Sequence, residues 1–158
     1  MCWACDRPGT DHRAYLDHIR RVITRHGWAV QYVGGDRARP PHAYTVGLTA
    51  AALPELVVTG LRAERATSML NGAARDMLAG GPPSPGSTLA LPGGGRVEVV
   101  RLSSPESHLA VALDLYGDDV RALQLVWADD RGRLPWHPVF RSNRGGQPVL
   151  GPRALAAS

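Results

Sequence analysis

The sequence predicts a single α+β domain, a mostly antiparallel sheet of about five to six strands flanked by three helices. Three observations carry this. Between Gly27 and Leu61 stand three short apolar runs, WAVQYV (28–33), AYTVGL (43–48) and ELVVTGL (55–61). Each is rich in Val, Tyr, Trp or Thr and bounded by Gly, Pro or Asp. Segments with apolar residues at helical spacing flank these runs. The elements run helix, three strands, helix, one or two strands, helix, strand and a short terminal strand, which is not the alternation of a doubly wound sheet. A split-barrel arrangement, as in some flavin-binding proteins, is the alternative that architecture alone leaves open.

The 158 residues, 44% of them hydrophobic, suffice for one core, so the domain is expected to span 1–158. Residues 1–10 form a separate N-terminal segment, and 152–158 are expected to fray. Mean hydropathy is −0.17, and no apolar run approaches the roughly 18 residues of a membrane span. MCWACDRPG lacks the basic start and apolar core of a secretory signal, so the expected location is cytoplasmic, away from membranes. All 18 basic residues are arginine, which leaves no lysine for a Schiff base or a phosphate loop. The net charge of +4 permits an anionic partner, but the arginines are scattered among 14 acids, so a nucleic-acid partner is not expected.

Taken in order, Cys2 and Cys5 form a C-x-x-C and are the only cysteines. The pair could be half of a zinc site completed by His12, a dithiol that cycles with a disulfide, or two small apolar anchors. Thr10 or Asp11 caps a helix that runs to His26, with apolar residues at 15, 16, 19, 22 and 23 and Gly27 as its stop. The three strands follow as the middle of the sheet. Trp28, Val30 and Tyr32 share one face of the first, and Ala29, Gln31 and Val33 the other. The third reads as apolar on both faces except at Thr59, which marks it as central. The loop GGDRARPPH (34–42) places Asp36, Arg37, Arg39 and His42 beside the sheet.

A second helix covers 62–79, with a stripe from Ala66 to Leu78. Asn71 lies near that stripe and needs a partner if buried. The stretch 79–88 is a surface loop leading to strands at 88–91 and 96–102, the latter near an edge. A third helix starts at Ser103 or Ser104, with Pro105 in its first turn, and runs to Tyr116. His108 lies in that first turn, where the helix dipole disfavours its protonated form. The strand in VRALQLVWA (120–128) is apolar from Ala122 to Ala128 except at Gln124, whose amide must be paired by backbone, water or ligand if buried. Asp129 and Asp130 open a turn, and a short VFR strand (139–141) closes the fold.

The blocks MCWACDRPG (1–9), GWAVQ (27–31), AYTVGL (43–48), PELVVTGL (54–61), LQLVWADDRG (123–132), PW (135–136) and GGQPVLG (145–151) resemble a bacterial family of unknown function, the domain-of-unknown-function 4262 family, frequent in actinobacteria. The resemblance implies a compact α+β bacterial protein and no particular activity.

Three functional readings follow. In the first the protein binds a small molecule. Trp28, Tyr44, Trp127 and Trp136 line an apolar pocket, and Gln124, His108 and Arg131 fix the ligand's orientation. In the second it is an enzyme, with His108 or His42 as base and the Asp129/Asp130 pair as acid or ligand. No nucleophile elbow, phosphate loop or H-E-x-x-H is present to support it. In the third it is a protein-interaction or immunity-type adaptor. Cofactor, beyond zinc at the C-x-x-C, and oligomeric state have no signature in the chain.

Overall fold

The structure is a computed structural model that describes residues 11–91 and 95–154. The Cys2–Cys5 pair, most of the turn at 92–94 and the tail from 155 lie outside the described residues.

The first helix, α1 (His12–His26), is bounded as its sequence signals predict. The Asp11 side chain accepts from the Arg13 N–H, and Gly27, at φ 92°, donates to the Ile23 carbonyl. Ile19 is buried, and Tyr15, Val22 and Ile23 pack beside it. Strands β1 (Ala29–Val33), β2 (His42–Val46) and β3 (Glu55–Thr59) form an antiparallel meander. The loop between β1 and β2 is held by the Asp36 carboxylate, which accepts from the N–H groups of Ala38 and Arg39 at 2.7 and 2.8 Å. That contact holds the Asp36 carboxyl below the usual carboxylate range.

Helix α2 (Ala63–Gly80) follows, then β4 (Thr88–Ala90) and β5 (Arg96–Arg101) as an antiparallel pair. A short helical turn at Pro105–Ser107 and helix α3 (Ala110–Tyr116) lead into β6 (Ala122–Trp127). Strand β6 inserts between β3, which it pairs in parallel, and β5, which it pairs antiparallel. The open sheet therefore has the order β1-β2-β3-β6-β5-β4.

The α+β class, the three helices and the mostly antiparallel sheet agree with the sequence expectation. Four details differ. The sheet does not close into a split barrel. The first of the three meander strands is an edge and only β3 is central, because β6 returns beside β3. The third helix is broken at His108 and Leu109, which leave helical φ/ψ at −130°/−23° and −117°/52°. The VFR segment is no strand; Phe140–Asn143 form a turn in which Arg141, Ser142 and Asn143 have φ of 48°, 53° and 66°.

The sheet is covered on both faces. On one, Ala66, Met69, Leu70, Ala73, Ala74 and Met77 of α2 pack against Leu56, Val58, Leu123, Leu125 and Trp127. Leu70 is fully buried, so truncation to Ala is expected to cost about 2–5 kcal/mol. On the other face, α1 and α3 cover Tyr44, Val46, Val57 and Ala122. The stretch after β6 covers Val100 and Val126 with Leu134, Trp136 and Val149. Among the described residues no helix is long and apolar enough to cross a membrane.

Candidate functional site

The most heavily bonded polar group in the sheet is Glu55, which the sequence reading passed over as the first residue of an apolar run. It is fully buried. One carboxylate oxygen accepts from the N–H groups of Gly47 and Thr49 and from the Thr49 hydroxyl, at 2.9, 3.0 and 2.8 Å. The other accepts from the Thr45 hydroxyl at 2.7 Å and the Leu48 N–H at 3.3 Å. These donors replace the hydration that burial removes and satisfy the amides of the turn after β2. With both oxygens enclosed, Glu55 is a structural clamp. A carboxylate among valines in a central strand, preceded by two threonines and a glycine turn, is the signal that identifies it.

The aromatic residues expected to line one pocket are instead divided among separate packing clusters. Trp28 lies on the α2 face and donates its Nε1–H to Asn71 at 2.9 Å, which also supplies the partner Asn71 requires. Tyr44 lies on the opposite face, where its hydroxyl accepts from the Val111 N–H at 3.1 Å. Burial pushes the Tyr44 phenol up to about 12, and the Val111 contact only partly offsets this. Trp136 packs in a third cluster, with the Arg153 guanidinium 4.0 Å from its ring centre. Trp127 is 5% exposed, and its Nε1–H donates to the Thr59 carbonyl at 2.8 Å. Trp28, Tyr44 and Trp127 fasten neighbouring elements through their N–H or O–H groups.

Gln124 is likewise spent inside the fold. Its Nε2 donates to the Pro148 carbonyl at 2.8 Å and its Oε1 accepts from the Leu150 N–H at 2.7 Å. Thr59 donates to the same Pro148 carbonyl at 2.8 Å. Gln147 uses its side-chain amide as a strand would, accepting from the Trp127 N–H at 2.8 Å and donating to the Trp127 carbonyl at 2.9 Å. Side chains of the sheet thus bind residues 147–150 to its face, and that segment becomes the wall of a cleft.

The cleft encloses about 730 Å³ and is lined by Arg39, His42, Thr59, Ser107, His108 and Pro148, among others. His42 and Tyr44 alternate onto one face of β2. Their rings stack with centroids 6.0 Å apart. His108, 66 residues further along the chain, stands edge-on to His42 at 5.9 Å. The Nε2 of His42 is 3.0 Å from the His108 carbonyl oxygen. A carbonyl only accepts, so Nε2 carries hydrogen, and in the neutral ring Nδ1 holds the lone pair. Burial lowers the His108 pKa, and charge on His42 and Arg39 adds to that effect, outweighing Glu106. His42 and His108 are thereby brought together as the sequence could not show.

Asp129 and Asp130 lie elsewhere, at the mouth of a second cleft of about 550 Å³. Asp129 is the hub of the turn after β6. Its Oδ1 accepts from the N–H groups of Arg131 and Arg133 at 3.0 and 2.9 Å. Its Oδ2 accepts from the Arg133 guanidinium at 2.9 Å and the Arg141 N–H at 2.8 Å. Burial opposes ionisation, but these N–H groups prevail and hold the Asp129 carboxyl well below the usual range. Both its oxygens are engaged within the turn, apart from the His42–His108 cleft. Asp130 is exposed and does not reach the histidine cleft. Asp129 also anchors the left-handed turn at Arg141–Asn143, a conformation that costs roughly 1–2 kcal/mol per non-glycine residue. Arg131 projects at the rim of this second cleft, apart from His108 and Gln124.

His12, the described member of the expected zinc set, places its Nε2 3.1 Å from Asp114 of α3. Among the described residues no group of three or more His, Cys, Asp or Glu is arranged to hold a metal ion.

Together these features describe an α+β domain with an open sheet and two polar clefts where β3 ends, one holding paired histidines and one rich in arginine. A family model for a domain of unknown function (DUF4262) matches residues 22–141, and the chain belongs to that family. The match runs from α1 to the left-handed turn, so the terminal blocks MCWACDRPG and GGQPVLG lie outside it. No curated protein and no solved structure matches the chain.

Proposed function

We propose that the protein binds a small molecule with an acidic or hydrogen-bonding head group, and that the His42–His108 cleft is the recognition site. One observation carries this reading: two imidazoles from distant parts of the chain meet at an open cleft with Arg39 at its edge. Arg39 supplies charge. A neutral His108 ring offers one donor and one acceptor. Pro148 and Leu150 supply apolar wall. Such a mixture of apolar lining and a few converging polar groups suits a ligand pocket.

An enzymatic role is the second reading. A half-buried histidine whose pKa is lowered is suited to accept a proton from a bound substrate. The other carboxylates expected to assist lie in the arginine cleft, so His108 would act without them. A protein-interaction role draws no comparable support from a concave site.

The test is a thermal-shift screen of small acids against the wild type and the Arg39→Gln and His108→Gln variants. A true ligand at about 100 times its Kd adds roughly 2.7 kcal/mol to the wild type and little to either variant. Hits that stabilise all three proteins equally, or that leave the His42 and His108 ring resonances unmoved, would sink the proposal.

A further inference from the structure

We propose that the second cleft is a binding site for a small polyanion, a molecule carrying two or more phosphoryl groups. Arg62, Arg65, Arg131, Arg133, Arg141 and Arg144 line it, against the carboxylates of Asp129 and Asp130. These arginines come from three places: the start of α2, the turn after β6 and the left-handed turn. Asp129 and Arg133 neutralise one another at 2.9 Å. Among the described residues no carboxylate forms an ion pair with Arg62, Arg65, Arg131 or Arg144. A shared concavity therefore holds a surplus of guanidinium charge that the protein itself does not balance.

The geometry also preorients that charge. The guanidiniums of Arg65 and Arg141 lie 5.8 and 5.6 Å from the centre of the Trp127 ring, within reach of its negative face. Arg141 is further restrained by donating to the Gly145 carbonyl at 2.7 Å. Planar donor forks match phosphoryl oxygens two at a time, and several forks around one hollow favour a ligand with several charges over a single anion. Trp127 is only 5% exposed, so its ring is not available to stack on a base. The cleft is a local hollow and no stripe along the surface, which argues for a small molecule over a nucleic-acid backbone.

Inorganic tripolyphosphate is the probe, titrated calorimetrically into the full chain. Saturable binding at a single site is expected, weakening as salt rises. Arg62→Gln combined with Arg65→Gln should lower affinity about tenfold or more. Arg21→Gln with Arg25→Gln removes equal charge from exposed positions on α1 and should leave affinity within about twofold. No saturable binding, or an equal loss in both double variants, overturns the proposal. So does a single-stranded oligonucleotide that binds more tightly than tripolyphosphate and displaces it, since the surface would then serve nucleic acid. Both double variants carry exposed substitutions, and circular dichroism melts confirm that each is folded before titration.

Discussion

Gly60 and Gly146 approach so closely that a Cβ on Gly60 would overlap the Gly146 carbonyl oxygen. Gly60 also sits at φ 76°, so two separate constraints demand glycine there. This contact lies between the end of β3 and the segment that walls the histidine cleft, and Gly60 itself lines the arginine cleft. Gly60→Ala is expected to push that segment away and destabilise the fold by about 2 kcal/mol or more. Urea unfolding checks the loss. A variant as stable as wild type would mean that the segment is not held against β3.

Glu55 gathers five donors, so even Glu55→Gln, which turns one acceptor into a donor, is expected to cost about 3 kcal/mol or more. For a chain of this size that lowers Tm by roughly 6–12 °C. A calorimetric scan measures it, and a shift of a degree or two would show that water reaches the turn and replaces the carboxylate.

His108 links stability to pH. Its folded pKa is lowered from 6.5, so the unfolded chain binds the proton more readily. Unfolding free energy therefore gains from this group above 6.5 and loses that contribution as pH falls through the folded value. His108→Gln should flatten this part of the stability profile. Equal slopes in the two proteins would show that another group governs it.

Asp129 and Asp130 should behave differently although they are neighbours. Asp129→Asn turns one of the two acceptor oxygens into a donor and breaks one of its two pairs of contacts, so the 129–144 stretch should become the earliest site of limited proteolysis. Asp130→Asn should leave the cleavage pattern unchanged. Peptide mapping by mass spectrometry distinguishes them, and indistinguishable patterns would remove Asp129 from its place as the hub.

Tyr44 and Trp136 belong to different packing clusters. Tyr44→Phe leaves the Val111 N–H unpaired and is expected to cost about 1–3 kcal/mol. Combined with Trp136→Leu, the losses should add to within about 0.5 kcal/mol. A larger coupling energy in the double-mutant cycle would restore the idea that these rings share one hollow.

Much of the fold was legible because its signals are local. Asp11 and Gly27 bound α1 through hydrogen bonds to residues two and four positions away, so the helix ends can be read from a short window. Where long-range partners compete, that reading fails. The carbonyl of His108 accepts from His42, and the helix is interrupted at that point. The Arg141 N–H goes to Asp129, and the expected terminal strand becomes a strained turn. Gln124 was identified as an amide needing partners, but nothing local indicates that Pro148 and Leu150 supply them.

By itself, the sequence determined the α+β class, the order of helices and strands as far as β6 and the alternating faces of β1, because periodicity and capping act over a few residues. Tertiary structure decided which side chains meet. It inserted β6 beside β3, sent the aromatic rings to different clusters and brought His42 to His108. The physical reason is that strand pairing and the docking of residues 147–150 depend on contacts between distant segments, and hydrophobic patterning specifies a buried face without naming the segment that will cover it.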